Sequence, residues 1–168
     1  GISDANIAMD QILQSDMSES KKLTSLGEML FIRSFLYFEL VQQFGKVPLV
    51  TEGSFEIRTD FKRAAIADIY KQIITDLRTA VEYLPEKVDD SQKGKATSYA
   101  ASHLLAKVYL TRGSAVTDVR GQKATDMDSV LYFAENVIKN SPYRLQKNFA
   151  DLWNIDNMGN SEVIFAVQ

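Results

Sequence analysis

Residues 27–50 read GEMLFIRSFLYFELVQQFGKVPLV, and the reading of this stretch decides the fold. Five aromatics stand between Phe31 and Phe44, with Arg33 set among them. A membrane-spanning helix needs about 20 largely apolar residues, but Arg33, Glu39, Gln42 and Gln43 interrupt this run. No unbroken apolar run in the chain exceeds five residues, as in Val163–Val167, so none can cross a bilayer. The stretch therefore reads as a core helix. Gly45 offers a C-terminal stop and Pro48 prevents continuation. Its start is ambiguous: Ser25-x-x-Glu28 has capping-box spacing, yet Leu23, Leu26 and Leu30 carry the helical period upstream.

On a helical wheel Leu26, Met29, Leu30, Tyr37, Leu40, Val41 and Phe44 share one side, and Glu28, Glu39, Gln42 and Gln43 gather opposite. Phe31, Ile32, Phe35 and Phe38 widen the apolar girth, as expected of a central, buried helix. Arg33 falls in the middle of the apolar face, about 140° from Glu28, so these two charges do not pair within the helix. A buried guanidinium needs a carboxylate or carbonyls. The best candidate is Asp76, at the border of the apolar face of a second helix, and an Arg33–Asp76 bridge joining core helices is expected.

That second helix has the cleanest pattern in the chain: Ile66, Ile69, Tyr70, Ile73, Ile74, Leu77, Val81 and Leu84 form one face, and Pro85 stops it. Upstream, Ile2 to Leu13 reads as a short helix with Ile2, Ile7, Met9, Ile12 and Leu13 as its apolar residues, followed by a polar turn, Gln14 to Ser20. Val47–Thr51 reads as extended and leads into a loop around Gly53 to Lys62. Downstream, Thr97 or Ser98 opens a small-residue helix through Arg112, with Ala100, Ala101, Leu104, Leu105, Val108 and Tyr109 inward. Thr111 to Asp126 reads as a plain solvated loop. Asp126 is placed to cap a helix with Val130, Leu131, Ala134, Val137 and Ile138 as its stripe. LQKNFADLW is a candidate short helix, and SEVIFAVQ, Ser161 to Gln168, reads as a β-strand. The fold class is thus mainly all-α: antiparallel helical hairpins resembling tetratricopeptide repeats, with two short extended segments, in one domain over residues 1–168.

Composition narrows function. A formal charge of -3 and a pI near 5.2 give no attraction for a nucleic-acid backbone, and no nucleic-acid partner is expected. There is no cysteine, hence no disulfide, thiolate metal site or cysteine nucleophile in these residues. The sole histidine, His103, lies on the Lys107 side of its helix without a second ligand nearby, and reads as a surface-edge residue. No phosphate-binding glycine loop and no nucleophile elbow is present. Asp89-Asp90 are turn acids, not a catalytic dyad. These residues supply no catalytic set, so an enzyme would need residues from elsewhere, and no cofactor and no metal is expected. Trp153 could stack on a sugar and is the one candidate ligand residue, although packing beside Phe149 and Leu152 is the plainer reading.

Linked motifs add a family resemblance. Glu28, Phe31, Arg33, Phe35, Tyr37, Phe38, Gly45, Pro48 and Leu49 match, in order, the signature helix and turn of the SusD/RagB family. Tyr70, Ile73, Asp76, Leu77, Ala80, Leu84 and Pro85 resemble its next element, with Arg63 ahead of them. Gly94, Ala96, Thr97, Ala100, Ala101 and Leu104–Leu110 resemble a third, SEVIFAVQ its S-E-x-I-F strand, and Asn6 the Asn of its first helix. Gly27, where the family usually has Ala, and Ala65, where Ser or Thr is more usual, depart from the pattern.

The resemblance implies a surface-exposed lipoprotein of the bacterial outer membrane in Bacteroidetes. Such a protein captures glycans or other nutrients over a TonB-dependent SusC-like transporter, without catalysis. It also implies that this chain is the helical N-terminal portion of a longer protein. The ligand site would be completed by the C-terminal part, and the membrane would be reached only through a lipid anchor absent from these residues. Glu28, Arg33, Tyr37, Gly45, Pro48 and Asp76 are then signature residues of structure, and no family ligand residue matches. The helical pattern alone equally supports a stand-alone tetratricopeptide-like module that binds a protein or peptide.

Overall fold

The structure, a computed structural model, describes residues 1–56, 59–89, 92 and 94–166. Its helices are α1 (Ile2–Gln14), α2 (Glu19–Phe44), α3 (Ile66–Tyr83), α4 (Ser98–Gly113), α5 (Asp126–Asn140) and the four-residue α6 (Phe149–Leu152). Side-chain meetings give their directions. Gly27 lies against Leu84 while Ser34 bonds the Ile73 carbonyl, so α2 and α3 run antiparallel. Tyr99 reaches the Asn140 carbonyl while Arg112 reaches Asp126, so α4 and α5 do too. From α1 to α5 each helix packs on the next in sequence, as in stacked hairpins.

α2 starts at Glu19 behind Ser18, upstream of the Ser25–Glu28 pair, which caps nothing. Its buried stripe is Gly27, Phe31, Ser34, Phe38 and Val41, with Arg33 and Tyr37 beside it. The expected face was centred too far round: Leu26, Met29 and Leu30 are only half-buried, and Ile32, Phe35 and Phe44 are exposed. A small-residue seam of Gly27 and Ser34 brings α3 closest, which rotates the larger side chains off the contact. A Cβ on Gly27 would stand 3.0 Å from Leu84 Cγ and 3.1 Å from Tyr83 Cβ. The missing methyl thus lets the two helices approach.

α3 buries Ile69, Tyr70, Ile73, Ile74 and Leu77 and forms the centre of the core with α2 and α4. Each such side chain contributes about 1.5–3 kcal/mol when fully buried. Ala65 stands at its N-cap with no side-chain bond to the orphan amides. α4 is capped properly: Thr97 Oγ1 accepts from Ala100 N at 3.2 Å. In α1 the buried face is Ala5, Asn6 and Met9, while Leu13 is exposed.

Several expectations are corrected towards the C-terminus. Asp126 does not cap α5; Thr125 holds that position, and the Asp126 carboxylate turns inward. Phe133 and Val137 are the buried residues of the α5 stripe, whereas Leu131 and Ile138 point to solvent. Residues 114–125 form a loop folded on itself, not a loose connection: Arg120 bonds the Thr111 carbonyl, and Gln122 bonds those of Ala115 and Thr117. The expected strand at 161–168 is not formed over residues 161–166; Val167 and Gln168 lie outside the described residues. A strand needs a ladder partner, and here Arg144 N bonds Ser161 O while Gln146 N bonds the Glu162 side chain. The segment instead presses Ile164 and Phe165 onto the core, Phe165 edge-on to Phe31 with centroids 4.9 Å apart. Asp90 also lies outside the described residues.

Candidate functional site

Two places in the fold collect polar and aromatic groups: a buried arginine cluster and an open apolar groove. The cluster is built on Arg33. Its Nε donates to Asp76 Oδ2 and its Nη2 to Asp76 Oδ1, both at 2.8 Å, the expected bridge between α2 and α3. Nη1 donates to Asn6 Oδ1 at 2.8 Å and to the Thr51 carbonyl at 3.1 Å. Gln72 Nε2 donates to Asp76 Oδ1 as well. Both charges are almost fully buried, and bidentate geometry with further hydrogen bonds is what makes such burial tolerable.

Tyr37 continues the cluster to the chain after the turn. Its hydroxyl accepts from Val50 N at 2.7 Å and donates to Val50 O at 3.0 Å, with Pro48 O at 3.4 Å. Burial raises the Tyr37 hydroxyl above its ordinary pKa against the smaller lowering effects of the Val50 bond and Arg33. Asn6 Nδ2 bonds the Val50 and Glu52 carbonyls. Arg33, Tyr37, Asp76 and Asn6 together thus fix residues 47–52 against α1 and α2, and Pro48 pairs with Arg63 in an isolated antiparallel bridge. The bonds of these side chains are made within the fold.

The other singled-out residues lie elsewhere. Gly45 ends α2 at φ 67° and ψ -117°, a conformation open mainly to glycine. Glu28 meets Lys95 at 3.5 Å on the surface. Trp153 is not packed into a core: it is 72% exposed, edge-on to an equally exposed Phe149 with centroids 6.0 Å apart. Leu152 and Phe149 sit in a single helical turn with no buried residue, so the Trp153–Phe149 contact stays outside the core.

The groove, of about 810 Å³, opens between α2, α4, the end of α5 and the C-terminal segment. Phe31, Leu104 and Val137 line it from the core, and Phe35, His103, Lys107, Ile138 and Leu145 from the solvent side. His103 is a surface residue as expected; partial loss of water around its ring, and then Lys107, hold it below its ordinary pKa and favour the neutral form. Such a volume lies in the range of ligand pockets. Trp153 does not line it. Among the described residues no group of three or more His, Cys, Asp or Glu is placed to hold a metal ion, and no helix is long and apolar enough to cross a membrane.

Sequence reasoning missed a second buried pair. Arg112 Nε donates to Asp126 Oδ2 at 3.0 Å and its Nη2 to Oδ1, while Lys123 N also donates to Oδ2. Burial would raise the Asp126 carboxyl, but the Arg112 and Lys123 bonds outweigh it and hold it below the usual value. The signal was present in Arg112, which continues the inward row Leu105–Val108 by one turn.

The structure is thus a stack of helical hairpins tied by buried arginine–carboxylate pairs, with an apolar groove opening between α2, α4, the end of α5 and the C-terminal segment. The family model described as "Starch-binding associating with outer membrane", SusD-like, matches residues 1–110. The chain belongs to the SusD-like family. It is 32% identical over 162 residues to a SusD-like protein of Bacteroides ovatus, covering 96% of this chain and 29% of that protein. It superposes on a laminarin-binding SusD-like protein with a TM-score of 0.85 and 29% identity, over 98% of this chain and 34% of the other. A structure solved with a xylogluco-oligosaccharide gives a TM-score of 0.88 and 30% identity, over 99% and 33%. The chain therefore spans about a third of the length of these relatives.

Proposed function

We propose that this chain is the helical N-terminal scaffold of a longer protein that captures glycans at the outer-membrane surface and hands them to a TonB-dependent SusC-like transporter, without chemistry of its own. The observation that carries the reading is the match of nearly the whole chain to SusD-like proteins, one of them laminarin-binding. The arginine cluster has the character of a structural signature, since Arg33 is held by Asp76, Asn6 and the Thr51 carbonyl, and Asp76 by Arg33 and Gln72. Lipid attachment would use a cysteine outside these residues, which contain none.

The test is calorimetric titration of laminarin and xyloglucan oligosaccharides into the longer polypeptide and into this chain alone. Binding by the first, and weak or no binding by the second, supports the reading. Tight binding by this chain alone would move the site onto the scaffold. Failure of the longer protein with every glycan, alongside capture of peptides by this chain, would favour the stand-alone peptide-binding module.

A further inference from the structure

Helices α2, α3 and α4 carry one arginine each, and all three use the same fork of nitrogens. Arg33 and Arg112 spread Nε and Nη2 over the two oxygens of an aspartate. Arg78, on α3, aims the same two nitrogens at one neutral oxygen, the Tyr109 hydroxyl, at 2.9 and 2.8 Å. The fork matches a carboxylate, which takes one bond on each oxygen, while a phenol leaves the cation without a counter-charge. Arg78 is also the exposed member of the three, and among the described residues no carboxylate pairs with it. Glu82 stands one helical turn further on without bonding it; an acid placed after its cation is the weaker order for such a pair.

The Tyr109 hydroxyl is incomplete as well. It accepts both Arg78 bonds, and among the described residues nothing accepts its own hydrogen. A donor without an acceptor is costly in so buried a residue. Aromatic rings wall the pair: Arg78 Cζ stands 5.7 Å from the Tyr109 centroid and 5.8 Å from that of Phe133 on α5, and the two rings are stacked. Tyr132, 70% exposed, meets Phe133 edge-on at 5.0 Å. Arg112 also lies by the Tyr109 ring, but Asp126 already meets its charge. The place is separate from the groove. On α4 Tyr109 falls about 120–180° round the wheel from Ala100, His103, Leu104 and Lys107, which line the groove.

We infer that Arg78 and Tyr109 form a surface subsite for the carboxylate of an acidic sugar, a uronate residue within a glycan, with Tyr132 as the exposed ring beside it. The inference rests on the glycan-capture reading and deepens it by naming the class of sugar. One carboxylate oxygen accepts from the guanidinium and the other from the Tyr109 hydroxyl, so a single group answers both unmet demands. A sugar is favoured over a peptide because the site is compact. One cation, one phenol donor and one exposed ring are on the scale of a single sugar residue, whereas a peptide engages a helix face over several turns.

The test titrates trigalacturonate, with its methyl ester as the neutral counterpart, into this chain and into the longer polypeptide. The acid should bind this chain weakly, as a single subsite does, and shift the magnetic resonance signal of the Arg78 Nε–H. The ester should bind at least about 10-fold more weakly, and so should the acid to Arg78→Gln. Arg78→Lys keeps the charge without the fork and should recover only part of the loss; it also replaces the first variant should that one fold poorly. Equal affinity for acid and ester, or an Arg78→Gln variant as tight as the parent, overturns the inference. So does acid binding by this chain that vanishes in the longer polypeptide, or tighter binding of a glutamate-rich peptide than of trigalacturonate. Laminarin binding by the longer protein with no response to trigalacturonate ends this inference alone. Peptide capture with no response to any glycan ends the functional reading itself, so the two fail separately.

Discussion

Arg112 and Asp126 repeat, one hairpin further along, the bond that Arg33 makes with Asp76: a guanidinium from the earlier helix grips both carboxylate oxygens of the later one. Each clamp is buried and ties two antiparallel helices at a fixed register. Because a helix pair can slide along its ridges, a bidentate bond at one height specifies which turns face each other.

Removing one partner strands the other in the core. Asp76→Ala should lower unfolding stability by roughly 3–5 kcal/mol, read from urea denaturation. Arg33→Met combined with Asp76→Leu should recover much of that loss, since no charge is then left buried. A double variant as unstable as the single one would show that Asn6 and Thr51 depend on the guanidinium more than the charge pair does.

The Asp126 carboxyl gives a pH dependence with a definite sign. Its folded pKa is lowered from 3.8, so its contribution is complete well above that value and is lost as pH falls through the lower folded pKa. Thermal unfolding measured between pH 7 and pH 3 should therefore fall more steeply for the parent than for Asp126→Asn, which is less stable at neutral pH.

Gly45 should resist substitution for a backbone reason alone. The nearest atom to an added Cβ would be Ile66 Cδ1 at 3.8 Å, ordinary contact distance, so there is room for a methyl. The conformation is the obstacle, and Gly45→Ala should destabilise by about 1–3 kcal/mol in the same urea assay.

Ala65 offers the opposite outcome. It is exposed, holds extended geometry at the start of α3, and leaves the first-turn amides without a side-chain acceptor. Ala65→Ser should stabilise the chain by about 0.5–2 kcal/mol, seen as a raised urea midpoint with an unchanged slope.

Trp153 is open to direct optical measurement as the sole tryptophan. In this chain its fluorescence should be readily quenched by acrylamide, and Trp153→Ala should change stability by no more than about 0.5 kcal/mol. Loss of laminarin binding in the longer protein carrying Trp153→Ala, with stability kept, would place the indole at the ligand.

Much of the core was legible in the sequence because α3 shows a one-sided pattern that stops at Pro85, and α4 is a run of small and apolar residues opened by Thr97 and buried on nearly all sides. The Arg33–Asp76 bond could be read because a charge on an apolar face demands a partner, and few carboxylates border another such face. Asp126 was misread because a helix-start aspartate looks the same whether it caps its own amides or reaches a neighbouring helix. Over residues 161–166 the expected strand does not form for a related reason: apolar alternation records a tendency to bury one face, while a ladder requires a partner that no local pattern reveals. The α5 stripe was seen, but its two faces were merged, since Leu131 and Ile138 are as apolar as the residues that are buried. The groove had no signal at all. It arises where four distant segments come near one another.

The extended residues after Gly45 carry a last consequence. Val50 has its amide and carbonyl taken by the Tyr37 phenol, and Asn6 and Arg33 occupy the carbonyls of Val50, Thr51 and Glu52. An extended segment outside any sheet would ordinarily offer its unpaired backbone groups to another chain, although Pro48 already withholds one donor. Here side chains from two helices stand in for the missing neighbour, so the segment has no free backbone groups at Val50 with which to recruit another strand.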